Sequence, residues 1–359
     1  MVLEEFNKPL VLRDFEIPHP KPGQLLVRML AAGVCGSDLH MYQGEDPRTP
    51  LPLILGHEGV GRIEAIGDEA VSVCGRRLQT GDVVLWNRGV SCGRCWYCQI
   101  LKQPALCTQR QVYGINLGLN DPPGLNGCYS EYILLRERTD LFYVPPGVDP
   151  AALVSAACSG ATVAHGYELA PVGPEDTVVV QGPGPLGIWA AAMARVLGAG
   201  QVIVIGGSPE RLELCKRFGA TGVLNRRETS VGERQQEIMA LTDGRGADLV
   251  VEATGHQSAF IEGVELLRRG GTYLCTGYAQ PVGTADLDPY RHLVGRGVKI
   301  QGVWVSDTAH VRQALALALR NPEHFAQMVT LRLPLERANE ALAAVAAKQA
   351  LKVILEVGA

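Results

Sequence analysis

Short apolar runs alternate with helix-like segments through the second half of the chain, and this alternation constrains the fold more than any other feature. The runs occupy residues 177–182, 201–207, 222–225, 247–255, 270–277 and 298–304, and segments at 186–197, 209–218, 228–241 and 257–268 separate the first five. Strands that alternate with helices form a parallel sheet covered on both faces. Because six strands are the full count of a doubly wound dinucleotide-binding domain, the sequence predicts an α/β fold that contains one.

A glycine-rich turn joins the first run to the first helix-like segment. Its sequence, GPGPLG at 182–187, is the G-x-G-x-x-G pattern in the strand–turn–helix context that the pattern requires. Glycines let the chain turn sharply and let backbone amides approach a pyrophosphate at the helix N-terminus. Since the two prolines lack an amide N–H, other amides must supply the bonds. We predict a dinucleotide site at Gly182, Gly184, Pro185, Leu186 and Gly187; the alternative is a tight turn without a ligand.

The end of the next run bears on which dinucleotide is bound. An Asp or Glu usually stands there and holds the adenosine ribose hydroxyls, which selects NAD. Here Gly206 and Gly207 take that place, and Ser208 and Arg211 follow. Without a carboxylate a 2′-phosphate is not repelled, and the serine and the arginine can bond to it, so Gly206, Ser208 and Arg211 favour NADP. Alternatively, Arg211 stacks on adenine or caps the helix while NAD binds.

Cysteines form a cluster in the first half of the chain. Of the ten in the sequence, four fall within residues 92–107, at Cys92, Cys95, Cys98 and Cys107. Two successive C-x2-C steps and a fourth nearby cysteine can surround Zn²⁺ tetrahedrally, and four thiolates leave no open coordination position. The spacing predicts a structural zinc site. The alternative is a loop of reduced thiols.

A second set of metal-binding residue types is dispersed along the chain. Cys35, His57 and Cys158 would give zinc three ligands and leave a fourth position for water or substrate, as catalytic sites require. Glu58 follows the histidine directly. Each residue alone is weak evidence, because a cysteine is often simply a small buried hydrophobe. Spacing along the chain does not establish that the three residues meet.

The first 150 residues follow a different pattern from the second half. Apolar stretches at 24–34, 59–67, 81–86, 127–135 and 140–147 are broken by Gly, Pro and Asp, which is typical of a β-rich domain. The tail from about 305 holds two alanine-rich helical stretches and a last strand at 351–357. We expect the tail to return to the first domain, which predicts one domain at 1–156 and 302–359 and a second at 157–301.

Composition and charge narrow the choice of partners. Lysine and arginine total 33 against 37 acidic residues, so nucleic acid is a poor candidate for the main partner. Polar residues, glycine or proline interrupt the two uncharged stretches of 18 residues, at 150–167 and 177–194, so neither is expected to span a membrane. The first ten residues carry no secretion-signal pattern. We expect a soluble, cytoplasmic protein with a small-molecule substrate.

Together these motifs resemble one family, the zinc-containing medium-chain dehydrogenases, which includes alcohol, sorbitol and threonine dehydrogenases. The resemblance rests on GVCGSDLH (33–40), GHEGVG (56–61), the cysteine cluster, CSGATVAH (158–165), GPGPLG (182–187) and VEATG (251–255). It implies a GroES-like β domain plus a Rossmann domain, and reversible hydride transfer between a secondary alcohol or polyol and NAD(P). Two other hypotheses are a zinc-independent quinone or enoyl reductase of the same fold and a non-enzymatic binding protein.

The resemblance also implies roles for individual residues. By it, Cys35, His57 and Cys158 are the catalytic zinc ligands, and Glu58 lies behind the metal. Further implied roles are orientation of the ligand histidine by Asp38, a proton relay through Ser37 and His40, a position near the pyrophosphate for Lys352, and a substrate pocket lined by Trp304, Trp86 or Arg88. Family habit implies a homodimer or homotetramer, with the run at 298–304 as a candidate pairing edge.

The sequence departs from the family pattern in three places. Cys158 stands where polyol dehydrogenases often have a glutamate, as in simple alcohol dehydrogenases. In the cysteine cluster, eight residues separate Cys98 from Cys107, instead of the usual seven. The acidic residue after the second Rossmann strand is missing.

Overall fold

The computed structural model describes residues 1–122 and 124–358 of the 359-residue chain, which forms two compact units. Met1–Ala161 and Ser306–Ala359 form the first unit, and Thr162–Val305 form the second. The predicted domain limits at 156 and 301 differ from these by five and four residues. Among the described residues, no helix has the length and apolar character needed to cross a membrane.

A seven-stranded sheet organises the first unit. Its strands are β2 Leu25–Val34, β4 Gly59–Ile66, β5 Val83–Trp86, β8 Tyr132–Leu135, β9 Leu141–Val144, β16 Val329–Pro334 and β17 Lys352–Glu356. Six of them follow the order β16-β17-β2-β4-β5-β9, and β8 also pairs with β2. Two short pairs complete the strands of this unit: β1 Val2–Leu3 with β3 Leu53–Ile54, and β6 Gly89–Val90 with β7 Gln111–Val112.

The last strand of the chain lies beside one of the first. In the antiparallel pairing of β17 with β2, Val353 lies opposite Val34 and Ile354 opposite Gly33. Apolar side chains from both strands enter one core, including the fully buried Val27, Met29 and Val353. Burial of this apolar surface stabilises the pairing of segments more than 300 residues apart.

Short helices border this sheet. They are α1 Gly36–Gln43, α2 Trp96–Gln99, α3 Pro150–Leu153, α9 Thr308–Arg320, α10 Pro322–Ala326 and α11 Ala338–Ala346, and α4 Ser159–Leu169 contains the division between the units. Helix α1 begins directly after Cys35 because the Asp38 carboxylate accepts the Cys35 N–H at 2.8 Å. The same contact holds two residues of the candidate site.

The second unit is a doubly wound domain around a six-stranded parallel sheet, and this confirms the predicted fold class. The strand order is β12-β11-β10-β13-β14-β15. The strands are β10 Thr177–Gln181, β11 Gln201–Gly206, β12 Gly222–Asn225, β13 Ala247–Glu252, β14 Leu267–Cys275 and β15 Lys299–Gly302, and the helices between them are α5 Pro185–Leu197, α6 Pro209–Arg217, α7 Val231–Leu241 and α8 Ser258–Leu266. All five residues of the central strand β10 are buried, as expected for a sheet covered on both faces.

Two helices of this unit differ from their predicted limits by more than one residue, for local reasons. Helix α7 begins at Val231 instead of 228, because Ser230 and Glu233 form a capping box in which the Ser230 N–H donates to the Glu233 carboxylate at 2.7 Å. Helix α8 ends at Leu266 because Leu267 already pairs with Ala247 across the sheet.

Candidate metal centres and active site

Four side chains of the first unit converge on one point. The ligand atoms of Cys35, His57, Glu58 and Cys158 all lie within 4.8 Å of one another. The cysteines precede α1 and α4, and the other two residues directly precede β4. The distance from Cys158 Sγ to His57 Nε2 is 3.5 Å. Bond lengths of about 2.3 and 2.0–2.1 Å at a tetrahedral zinc give an S–N distance of about 3.6 Å, so the donor set fits this metal.

Asp38 determines the orientation of the histidine. Its Oδ1 lies 3.1 Å from His57 Nδ1, and its Oδ2 accepts a hydrogen bond from the Cys35 N–H. The side chains of Asp38 and His57 are both buried. Because a carboxylate only accepts hydrogen bonds, Nδ1 carries a proton, so the neutral imidazole, the form that binds a metal, offers the lone pair of Nε2 to the cluster. Burial opposes a positive charge on the imidazole, but Asp38 outweighs burial and raises the pKa of His57 to about 9.

The two cysteines of this cluster differ in acidity. Their mutual hydrogen bond, together with burial, raises the pKa of Cys35, and the same bond lowers the pKa of Cys158. Cys158 is therefore the more acidic of the two thiols.

Glu58 and Lys352 form a buried ion pair behind the cluster. Their side chains are 0% and 2% exposed, and the Lys352 ammonium donates to Glu58 Oε2. Glu58 Oε1 has no hydrogen-bond partner among the described residues and lies 3.8 Å from His57 Nε2. Burial alone would raise the pKa of Glu58, but the positive charge of Lys352 lowers it, so an anionic oxygen faces the cluster. A Cβ at Gly33 would lie 2.4 Å from Glu58 Oε2, so the pair requires glycine there.

The placement of Lys352 differs from the role that the resemblance implies. The predicted position is near the cofactor pyrophosphate. In the structure the ammonium instead donates to Glu58 and, at 3.4 Å, to the carbonyl oxygen of Val34. Because the Lys352 side chain is only 2% exposed, its ammonium is not placed to contact a phosphate group. We therefore assign Lys352 to the ion pair.

The candidate proton relay lies along α1. Ser37 Oγ is 4.0 Å from Cys35 Sγ at the start of the helix. His40 lies one turn farther along, with 29% of its side chain exposed, and its Nδ1 is 2.6 Å from Glu45 Oε2. Glu45 is a contact that sequence reasoning missed, and only its position just beyond the helix could have suggested it.

Three other side chains were candidates for the substrate pocket. Trp86 is 2% exposed and belongs to the hydrophobic core of the first unit. Trp304 is 46% exposed in the second unit. Arg88, two residues beyond β5, is 6% exposed and lies against the cluster: burial alone would lower its pKa, but the charge of Cys158 and a hydrogen bond to it raise it.

The second cysteine cluster converges as well. The Sγ atoms of Cys92, Cys95, Cys98 and Cys107 lie within 4.8 Å of one another, with 3.5 Å between Cys95 and Cys98. Backbone N–H groups donate to the sulfurs, for example Cys95 N to Cys92 Sγ at 3.3 Å. A bond from the Arg94 N–H is the largest cause that lowers the pKa of Cys92 to about 6. A 3-10 turn at Pro104–Leu106 precedes Cys107. The sulfur of Cys107 therefore reaches the cluster despite the additional residue in the spacing. This all-thiolate set fits a structural zinc ion.

The glycine turn of the second unit has the form of a phosphate-binding loop. Gly182 has φ of +109°, a conformation that favours glycine. A Cβ at Gly187 would lie 1.8 Å from the Gly182 oxygen, so this glycine permits close packing of helix on strand. A Cβ at Gly184 would meet nothing within 4 Å, which leaves room for a ligand beside the first turn of α5, where Pro185 and Leu186 lie. The loop fits a dinucleotide pyrophosphate.

The region after β11 contains charges that sequence reasoning missed. Ser208 Oγ donates to Glu210 at 2.8 Å and caps α6 by accepting the Arg211 N–H at 3.4 Å. A Cβ at Gly207 would lie 3.2 Å from Nε of both Arg226 and Arg227, so two guanidinium groups flank this turn. Gly206 is required for a different reason, since a Cβ there would lie 2.5 Å from Pro183.

Comparison with known proteins identifies the family. Residues 21–146 match the family described as alcohol dehydrogenase GroES-like domain, and residues 185–320 match zinc-binding dehydrogenase. The chain is 35% identical to 5-exo-hydroxycamphor dehydrogenase of Pseudomonas putida over 99% of this chain and 97% of that protein. The chain belongs to the zinc-containing medium-chain dehydrogenase family. It is a zinc-type alcohol dehydrogenase, an oxidoreductase that acts on CH–OH groups with a nicotinamide cofactor.

Two further relatives agree with this assignment. An NAD-dependent alcohol dehydrogenase of Sulfurisphaera tokodaii is 34% identical over 95% of this chain and 94% of its own length. The crystal structure of an alcohol dehydrogenase from Thermotoga maritima is 49% identical, covers 99% of this chain and 98% of its own, and superposes with a TM-score of 0.96. These findings confirm the predicted family and reaction class and favour them over a quinone or enoyl reductase and over a non-enzymatic protein.

Proposed function

We propose that this dehydrogenase oxidises secondary alcohols or polyols reversibly, with two zinc ions per chain, one catalytic and one structural. The observation that carries the proposal is the convergence of Cys35, His57 and Cys158 within 4.8 Å in one unit, beside the buried Glu58. Zinc at such a site supplies Lewis-acid chemistry that favours loss of the hydroxyl proton, and the nicotinamide ring supplies the hydride acceptor.

The residues around the cluster prepare the site for this chemistry. Asp38 keeps the His57 proton on Nδ1 and so keeps Nε2 available as a ligand. Glu58 and Lys352 place a negative oxygen and its counter-ion behind the ligands. Arg88 adds a positive charge beside Cys158.

Ser37 and His40 are the residues that we assign to proton removal. Ser37 lies beside Cys35, where its hydroxyl can accept a hydrogen bond from the substrate hydroxyl and pass its own proton onward as it takes up the substrate proton. His40 is partly exposed and therefore can release a proton to solvent, and Glu45 holds its Nδ1. This assigns proton removal to partly exposed side chains, since His57, Glu58 and Cys158 of the cluster are buried.

Zinc analysis combined with substitution tests the two-metal proposal. We expect about two zinc ions per chain in the wild type, and we expect Cys35→Ser to lose one of them and its turnover while dinucleotide affinity is retained. Cys74→Ser is the matched control, because Cys74 is an exposed cysteine outside both clusters. Turnover in Cys35→Ser protein without the second zinc ion would contradict the mechanism.

We propose a preference for NADP on the charges around the turn after β11. Arg226 and Arg227 flank Gly207, and Arg211 lies in the first turn of α6, whereas Glu210 is the acidic group near Ser208. A 2′-phosphate gains charge-assisted hydrogen bonds from the arginines. We expect Arg226→Ala/Arg227→Ala to reduce kcat/KM for NADP about tenfold or more relative to NAD, as two such bonds imply. A wild-type preference for NAD would overturn this proposal.

A homodimer or homotetramer is our proposal for the assembly, with β15 as the pairing edge. This strand closes one end of the sheet order, and Ile300 within it is 36% exposed. An edge strand with free backbone groups is a template for pairing with a second copy. Sedimentation velocity on the wild type and on Ile300→Pro tests this, with dissociation expected in the variant.

A further inference from the structure

Two buried guanidinium groups near the catalytic cluster have N–H donors without partners. Arg88 is 6% exposed, and among the described residues its Nη1 has no hydrogen-bond acceptor. Arg110 directly precedes β7, and its Nε and Nη1 are likewise buried and unpaired. Its Nη2 donates to the Ser306 oxygen at 2.7 Å. A buried donor without an acceptor is costly, so these groups point to an acceptor that the chain itself does not provide.

The two guanidinium groups lie close enough to affect each other. Burial is the largest cause that lowers the pKa of Arg110 to about 10, and the positive charge of Arg88 is the next. Asp307 and the sulfurs of Cys107 and Cys98 oppose this effect on Arg110. Arg110 thus has counter-charges nearby on its other side. Arg88 faces Cys158, Glu58 and Cys35.

Binding of the proposed catalytic zinc neutralises the thiolates that face Arg88. Two thiolates and one Zn²⁺ sum to zero, and Glu58 already has Lys352 as its partner. Asp38 keeps its negative charge, but its two oxygens lie against His57 Nδ1 and the Cys35 N–H. Arg88 is then a buried cation beside the reacting group with an unpaired Nη1 and with Arg110 adding to the positive potential. Burial of a charge requires a partner of opposite sign.

We propose that Arg88 is a specificity-determining residue that binds a carboxylate on the substrate, so that the preferred substrates are hydroxy acids, including sugar acids, instead of neutral alcohols. The proposal rests on the proposed function, because it takes the alcohol to react at the Cys35–His57–Cys158 cluster. Guanidinium binds carboxylate through parallel N–H donors, and the contact of Arg88 with Cys158 places those donors next to the ligand set.

Kinetics on matched substrate pairs test the proposal. The zinc-loaded enzyme is assayed with a hydroxy acid and its neutral counterpart, such as an aldonate with the corresponding alditol and 3-hydroxybutyrate with 2-butanol, and with a phosphorylated polyol. We expect kcat/KM to be highest for the acids. In Arg88→Gln the ratio of acid to neutral kcat/KM should fall about 10- to 100-fold, mainly through KM, the loss expected for one charged hydrogen bond. Arg88→Lys should recover part of it, since the charge remains.

A binding measurement separates recognition from catalysis. Calorimetric titration of the zinc-loaded protein with isobutyrate, which has no hydroxyl to oxidise, should give an affinity that Arg88→Gln lowers about tenfold or more. Zinc content is measured on each variant. Arg77→Gln is the control, because Arg77 belongs to the same unit and its side chain is 79% exposed.

The possible results distinguish this proposal from the proposed function. If Arg88→Gln reduces all substrates equally or loses zinc, Arg88 only positions Cys158, and the carboxylate proposal is overturned while the dehydrogenase stands. A preference of the wild type for neutral or phosphorylated alcohols overturns it as well. If no alcohol of any class is oxidised, the proposed function itself fails.

Discussion

Replacing Lys352 by methionine tests how the buried ion pair contributes to the fold. The carboxylate of Glu58 is 0% exposed and the ammonium of Lys352 is 2% exposed, so neither is screened by water. Removal of one partner from a buried pair leaves an uncompensated charge and costs about 3–5 kcal/mol. Lys352 is the first residue of β17, which pairs with β2 in the central sheet of the first unit. We therefore expect the loss of the ion pair to lower the stability of the whole first unit.

Two variants give this value a scale. Arg332→Met removes an exposed cation of the same unit, whose side chain is 40% exposed and which pairs with Asp149 and Glu356, so we expect a loss of no more than about 1 kcal/mol. Lys352→Met/Glu58→Gln removes both buried charges together. We expect the double variant to regain most of the stability lost by the single one, because no charge is left buried without a partner.

Urea unfolding of zinc-loaded protein at pH 7, followed by tryptophan fluorescence, measures these differences. Trp86 is buried in the first unit and reports on it. A loss for Lys352→Met of less than about 1 kcal/mol, equal to that of the exposed control, would refute the reasoning that the pair is desolvated. So would a double variant no more stable than the single one.

Three further predictions concern other parts of the molecule. Cys95→Ser should release the structural zinc, measured by metal analysis, and lower the unfolding temperature, because a structural site contributes folding free energy. Asp46→Asn should lower the free energy of unfolding by about 1–2 kcal/mol at pH 7, because the variant loses the ion pair with Arg48. Burial alone would raise the pKa of Asp46, but Arg48 outweighs burial and lowers this pKa, so the folded state binds fewer protons than the unfolded state. The stabilisation by Asp46 should therefore fade as the pH drops below about 4, as measured by urea titrations at a series of pH values. Gly187→Ala should destabilise the second unit in thermal unfolding, since its Cβ would lie 1.8 Å from a backbone oxygen, whereas Gly184→Ala has space for its Cβ and should weaken only dinucleotide binding in a fluorescence titration.

Much of the second unit could be predicted because its signals are local. The central strands of the sheet, β10, β11 and β13, are short apolar runs that are buried over nearly their whole length, and such runs are typical of a parallel sheet. The limits of helices differ from the prediction by a few residues, as at Val231, where a capping box sets the start of α7. The contacts around Gly207 were missed because Arg226 and Arg227 follow β12, which lies next to β11 in the sheet. The distance along the sequence does not reveal which strands are neighbours.

The candidate catalytic cluster shows the opposite case. Cys35, His57 and Cys158 were named from their residue types and from the resemblance, and the structure brings them together across 123 positions of sequence. The partner of Glu58 was not foreseen, since Lys352 is 294 residues away and pairs with it only because β17 lies next to β2. Arg88 was named only as one of several pocket candidates, and its unpaired donor is visible only once burial is known.

The sequence by itself determined what lies within a few residues: the glycine turn between β10 and α5, the C-x2-C-x2-C cluster, and the alternation that makes a parallel sheet. Each of these features involves residues only a few positions apart, so the spacing of the residues along the sequence determines its geometry. Only the tertiary structure decided which distant charges meet, namely Glu58 with Lys352 and Arg88 with Cys158. The reason is that strand order and burial place those groups, and burial, by removing water, turns their proximity into strong electrostatic interaction.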